Sequence, residues 1–345
     1  MDNDLYADAA RQVLADRCSP NVVRAIEAGG RDAPAARDLW AQLEAMGLPD
    51  ALLTEGKGGS GLILTQAFGV LEQCGAHALP LPLGETMVAR AVLATGGVAR
   101  PAGSIALSRG ERMPDGSLRC ALVRCGQLAH AVLVQAGAQW LLLPVESGQS
   151  APHALVLDAS LSWSQTAVQA ASVVPVDGAL DIWVLQAAVV APQMAGALKA
   201  VFDRTLRYAN ERQQFGRPIG KFQAIQHQLA VMSEHVFAAR MAAQLGCSGG
   251  QGRGAVSPDR LRVATAKARC SEAALAVSEF AHAIHGAIGF TEEYDLQLFT
   301  RRLQAWRQTA GAEAYWHGVA GAVLLQCRDR TLDVVRRITD IESIV

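Results

Sequence analysis

Three groups of residues in this 345-residue chain have types and spacings that invite a chemical reading: a glycine-rich hexad, seven cysteines and an uneven set of charges. Gly56-Lys57-Gly58-Gly59-Ser60-Gly61 satisfies Gly-x-Gly-x-x-Gly, which cradles a dinucleotide when a strand precedes it and a βαβ unit surrounds it. Here the flanking sequence reads as helical, and the hexad also lacks the Gly-Lys-Ser/Thr ending of a P-loop, so it is expected to be a connector. The cysteines (18, 74, 120, 125, 247, 270 and 327) are odd in number and form no Cys-x-x-Cys pair. They imply neither a disulfide framework nor a metal site and are expected to be mostly small buried hydrophobes. Charge is asymmetric: from Gln186 onward there are 19 Lys+Arg against 14 Asp+Glu, and residues 1–185 hold 12 against 18. An anionic ligand is therefore expected in the C-terminal part.

The elements that must position such groups follow from composition and periodicity. Half of the residues (50%) are hydrophobic and 18% are charged, with a net charge of −1, which argues for packed cores and against a nucleic-acid binder. The most apolar stretch, Ile182 to Phe202, is interrupted by Gln186, Pro192, Gln193 and Lys199, short of the ~20 uninterrupted apolar residues of a membrane span. Met1-Asp2-Asn3-Asp4-Leu5 shows no basic or apolar leader pattern, so a cytoplasmic location is expected.

Residues 1–100 read as an N-terminal helical domain, with helical spacing over 35–46, 64–74 and 85–93. Residues 101–185 read as a small antiparallel β-barrel or sandwich, with strands expected at 104–107, 118–123, 129–134, 140–145, 154–157 and 172–176. Residues 186–345 read as an antiparallel four-helix bundle, two of whose long helices are expected over 261–284 and 310–338. The fold class is thus α with a β insert.

The segment from Arg212 to Met232, beginning Arg212-Gln213-Gln214-Phe215-Gly216-Arg217-Pro218-Ile219-Gly220-Lys221-Phe222-Gln223, carries the most specific signal. It resembles the acyl-CoA dehydrogenase family's Arg-x-Gln-Phe-Gly-x-Pro-Ile-x-x-Phe-Gln-x-x-Gln-x-x-Leu-Ala-x-Met at every specified position. Ile284-His285-Gly286-Ala287-Ile288-Gly289-Phe290, followed by Arg301, is similar to that family's Gly-Gly-x-Gly turn. Leu39-Trp40, Glu55 with its glycines and Leu71-Glu72 extend the resemblance over essentially the whole chain.

The resemblance implies FAD-dependent α,β-dehydrogenation of an acyl-CoA thioester, with a carboxylate removing the α-proton and the flavin accepting the β-hydride. In that family the pyrophosphate and adenosine of each FAD are held partly by a neighbouring subunit. By position, Arg212 would pair with the pyrophosphate, Phe215 and Gln223 would line the adenosine end, and Gly286 would allow close backbone approach.

Departures from the family pattern are equally informative. The usual base position is Ala310, in Gln308-Thr309-Ala310-Gly311-Ala312-Glu313, and the alternative base and its arginine are Gln186 and Ala187. Neither position carries a carboxylate. The family's glutamine before its Gly-Gly is Ala283, and the second glycine is Ala287. The flavin-contacting Thr-Glu-Pro and Gly-Ser-Asp segment is missing, since only Arg109 to Gly116 separates two expected strands, and the Trp/Thr strand motif is not recognisable.

Three readings follow. In the first, the chain is the non-catalytic partner in an α2β2 heterotetramer, as in bacterial steroid side-chain degradation, completing the FAD site of a base-bearing homologous subunit. The second is a self-sufficient homo-oligomer with Glu313 as a displaced base, three residues along from Ala310. The third is a flavin-free structural or CoA-binding subunit. His285 and His317 are expected to be structural, because imidazole is too weak a base for this proton.

Overall fold

The computed structural model describes residues 2–249, 255–327 and 330–339. Helices open the chain: α1 (Asp2–Arg17), α2 (Pro20–Gly29), α3 (Pro34–Ala45), α4 (Leu64–Ala76) and α5 (Leu83–Thr95). Their starts have local causes. Pro20 and Pro34 occupy first-turn positions where a missing N–H goes unnoticed, and Ser19 caps α2 by accepting from the Val22 N–H at 3.5 Å. The expected helical spacing at 35–46, 64–74 and 85–93 coincides with α3, α4 and α5.

Two small sheets follow, built from β1 (Ile105–Arg109), β2 (Glu111–Arg112), β3 (Leu118–Val123), β4 (Ala131–Ala136), β5 (Gln139–Pro144), β6 (Gln149–Pro152), β7 (Ala159–Trp163) and β8 (Ser172–Val173). The strand orders are β1-β4-β5-β8 and β2-β3-β7-β6, with the short helix α6 (Gln165–Gln169) between β7 and β8. The arrangement corrects the expected antiparallel barrel or sandwich in its pairing: the sheets do not close into a barrel, and β1 runs parallel to β4 in the register Ile105↔Ala131. After β1 the chain crosses into the other sheet as β2 and β3 before returning as β4, a crossover long enough for parallel pairing. The strand expected at 154–157 is instead a turn, closed by the Asp158 N–H donating to the Leu155 carbonyl at 2.9 Å. Its flanks form the antiparallel pair β6 and β7, joined from Gln149↔Ser162 to Pro152↔Ala159.

The C-terminal helices are α7 (Ile182–Glu211), α8 (Gln223–Gly246), α9 (Arg260–His285), α10 (Leu296–Gln308), α11 (Glu313–Gln326) and α12 (Thr331–Thr339), with a hairpin of β9 (Gln213–Gln214) and β10 (Arg217–Pro218) between the first two. Helices α7, α8 and α9 pack on one another. Helix α10 packs against α7 and α9, and α11 packs against α9. The single helix expected over 310–338 is therefore corrected to α11 and α12, and α10 is an additional element.

Helix α7 is the spine of the molecule. Two helices, α7 among them, have the length and apolar composition of a membrane span, but α7 is buried almost throughout by its neighbours. Its Pro192 removes the N–H that would bond to the Ala188 carbonyl; the Cys247 thiol of α8 donates to that oxygen instead, at 3.7 Å. Glycine is required where α4 crosses α7: a Cβ at Gly75 would lie 1.7 Å from the Gln193 carbonyl oxygen, and one at Gly196 1.9 Å from that of Glu72. The two backbones touch directly.

Candidate functional site

Arg212 stands at the C-terminal end of α7. Its N–H donates to the Tyr208 carbonyl at 2.8 Å, its own carbonyl accepts from Ile219 N–H at 2.8 Å, and its guanidinium is exposed with no partner among the described residues. Beyond it the β9–β10 hairpin turns at Phe215 and Gly216, with φ of 52° and 76°. Two successive left-handed residues make the tight hairpin turn that suits the twist of the strands. A phenylalanine in that conformation is strained, and here its ring is 89% exposed. The ring meets Phe222 edge-on at 6.1 Å, and the Arg217 guanidinium covers Phe222 at 4.3 Å. Gln223 begins α8 and is exposed.

Gly286 ends α9 with φ of 64° and open space where a Cβ would stand. Tyr208, one turn before Arg212, donates its hydroxyl to the carbonyl of His285 at 3.4 Å, so the ends of α7 and α9 meet. The structure thus brings Arg212 and Gly286 to one end of the C-terminal helices. The hairpin and the start of α8 adjoin them, and the polar and aromatic groups face outward. Such a surface can take up an anion and a flat ring.

The two positions where a base was sought are closed. Gln186 is buried and donates its amide to the Leu107 carbonyl of β1 at 3.1 Å. Ala310 is buried with φ of 53°, and its carbonyl accepts from the Trp316 indole at 3.0 Å. The adjoining turn is fastened by the buried Lys267 ammonium, which donates to the carbonyls of Arg307 and Gly311, both at 2.9 Å. Glu313 is clasped by Arg307, whose Nε donates to it at 2.9 Å and whose Nη2 contacts the other carboxylate oxygen. Those bonds hold its carboxyl below the usual range, the wrong direction for a base facing a weakly acidic proton.

Deeper in the same region lies a buried charged cluster that sequence reasoning missed. Arg124, at the end of β3, pairs with Glu85 of α5, donates to the Gln193 amide oxygen of α7 at 2.5 Å and lies 4.6 Å over the Trp306 ring of α10. All four side chains are at most 2% exposed. Asp158, Arg302 and Glu27 stand around them; Asp158 accepts from the Cys125 N–H at 2.9 Å, and Arg302 pairs with Glu27 at 2.9 Å. The void left among these groups is about 10 Å³, room for one water at most. Gln193 is two helical turns along α7 from Gln186, and Trp306 is four residues before Ala310. Its signal in the sequence was a lone charge in each of two apolar runs.

Nearer the surface, Asp181 at the start of α7 accepts from Arg109 at 3.0 Å and from Arg260 at 2.9 Å, and Arg260 also reaches the Tyr315 hydroxyl at 3.2 Å. These contacts tie the end of β1 to α7, α9 and α11. A cavity of about 540 Å³ opens beside them, between α5, the start of α7 and the segment before α9. Neither Gln186, Ala310 nor Glu313 lines it. Among the described residues no group of His, Cys, Asp or Glu is placed to hold a metal ion.

Residues 185–324 match the family model described as "Acyl-CoA dehydrogenase, C-terminal domain". Over 314 residues the chain is 28% identical to acyl-CoA dehydrogenase IpdE2 of Mycolicibacterium smegmatis, covering 90% of this chain and 94% of that protein. Among solved structures it is similar to the Tcur3481-Tcur3483 steroid ACAD G363A variant (TM-score 0.80, 23% identity, covering 94% of this chain and 98% of that one). It is similar too to the ChsE4-ChsE5 complex from Mycobacterium tuberculosis (TM-score 0.80, 20% identity, covering 95% and 98%). At these identities the structural likeness establishes the fold.

Proposed function

We propose that the chain, whose residues 185–324 match an acyl-CoA dehydrogenase C-terminal domain, is a member of that family and the base-lacking subunit of a two-chain, FAD-dependent enzyme. In this reading the chain divides into three domains, at 1–100, 101–185 and 186–345, and works in the cytoplasm within an α2β2 assembly. Its partner is a homologous subunit that carries the catalytic glutamate. The names of its structural neighbours, one a steroid ACAD and one a complex of two chains, support the heteromeric assembly.

The two halves of a flavin site fare differently here. The outward half fits: Arg212 is an unpaired fork for a pyrophosphate, Phe215 and Gln223 present a ring and an amide, and Gly286 leaves room for close approach. The inward half offers no such opening: the two base positions, Gln186 and Ala310, are buried without a carboxylate, and the void beside the Arg124–Trp306 pair is only about 10 Å³. FAD, when bound, supplies the acceptor for the β-hydride. This chain's residues would bind and orient its phosphate end from outside while the partner's carboxylate takes the α-proton. Arg212 would neutralise phosphate charge.

The contrast between two buried base positions without a carboxylate and an exposed Arg212 with no partner among the described residues carries this reading. Co-purified with a base-bearing partner, the complex should contain about one FAD for each pair of chains, read from its visible absorbance. A stable, active and fully flavinylated homo-oligomer of this chain alone would overturn it. Absence of any chromophore in the complex would favour a flavin-free structural role.

A further inference from the structure

Helix α9 ends on a histidine that is built into its surroundings on every side. His285 is 4% exposed. Its Nδ1 lies 2.7 Å from the Ala281 carbonyl, an acceptor only, so the proton sits on Nδ1 and Nε2 is left to accept from the Tyr294 hydroxyl at 3.2 Å. The ring stacks on Tyr208 at 4.4 Å and 25°, and the Tyr208 hydroxyl donates to the His285 carbonyl. The next residue is Gly286, where the chain reverses. The neutral imidazole thus joins α9, Tyr208 and Tyr294 at this turn, beside the Gly286 N–H, which donates to the His282 carbonyl.

A second proton would keep the bond to the Ala281 carbonyl, which favours the charged ring, but would upset the contact with Tyr294. An imidazolium at this depth has lost its water, and Tyr294 would have to turn from donor to acceptor. Its titratable neighbours do not offset the charge. His282 lies one turn back on α9, stacked on Phe290 at 4.3 Å, and Arg204 of α7 faces Tyr294 from the other side, with Glu211 and Asp295 farther out on the same tyrosine. Burial and His282 both favour the neutral form.

We propose that His285 is a positioning residue for the cofactor: in its neutral form it holds the Gly286 turn beside Arg212, and protonation lets that turn go, so the assembled enzyme releases flavin on acidification. The inference rests on the shared-site reading above and adds a pH dependence to it.

The test uses the assembled two-chain enzyme loaded with FAD, with retained flavin measured by absorbance after filtration across the pH range about 5 to 8. The wild-type complex should lose flavin as pH falls below about 6.5, the ordinary histidine value. His285→Phe, which keeps a ring on Tyr208 and cannot titrate, should show no acid limb. Tyr294→Phe, which removes the hydroxyl that favours the neutral imidazole, should move the limb to higher pH and serves if His285→Phe does not assemble. An identical acid limb in His285→Phe, an unmoved one in Tyr294→Phe, or none in the wild type would overturn the proposal. Arg212→Ala separates the two claims. Retention unchanged by it at every pH would sink the shared site itself, whereas lowered retention with an unchanged His285→Phe limb would sink only the role of His285.

Discussion

Arg212 and Glu313 show how the meaning of a charged side chain depends on its partners. Arg212 has none among the described residues, so it remains available to an anion from outside. Substituting Ala for it should weaken flavin retention by the complex roughly 10- to 100-fold, the worth of a lost charge-assisted pair, as read by equilibrium dialysis. Arg212→Lys should recover only part of that, because a point charge cannot reproduce a two-pronged contact. Glu313 is already engaged by Arg307, so Glu313→Gln should leave turnover of the complex near wild type in a dye-reduction assay. A loss of turnover with FAD retained would revive the self-sufficient reading. Arg212 was legible because a contiguous motif surrounds it. The Glu85–Arg124 pair was not, since 39 residues separate its members and only the tertiary fold makes one explain the other.

At the scale of elements, what could be read and what could not divides along the range of the forces involved. Helical periodicity located α3, α4 and α5, because burying one face leaves a local imprint on the sequence. The break between α11 and α12 and the parallel pairing of β1 with β4 leave no such imprint; both depend on where distant segments lie. The turn between α10 and α11 is a further case. It is held by Lys267, reaching from α9 to two carbonyls near the end of α10, together with the Trp316 indole on Ala310. Lys267→Met should orphan both carbonyls and cost about 1.5–3 kcal/mol, seen as a lower denaturant midpoint with an unchanged slope. The β9–β10 hairpin should respond differently. Phe215→Gly relieves a strained φ and removes an exposed ring, so stability should hold or rise while flavin retention by the complex falls.

For the whole molecule, the order of helices, strands and helices was legible, and the burial of α7 follows from its composition. The buried Glu85–Arg124 cluster was not, because its charges meet only in the tertiary fold. Glu85→Ala leaves Arg124 buried and unpaired and should cost about 3–5 kcal/mol, whereas the double change Glu85→Met with Arg124→Met should recover most of it. Thermal unfolding of the two variants decides the point.

That cluster also bears on how the chain comes to be made. Its members are residues 27 and 85, then 124 and 158, then 193, and finally 302 and 306, nearly the full span of the polypeptide. During synthesis from the amino end, Glu85 and Arg124 emerge long before Trp306 exists to cover them. Neither charge can shed its water until the last partners arrive. The earlier segments must then wait on the ribosome with their junction wet, so a nascent chain stalled before residue 302 should remain open to protease at that seam, and the finished chain should close it in one late step.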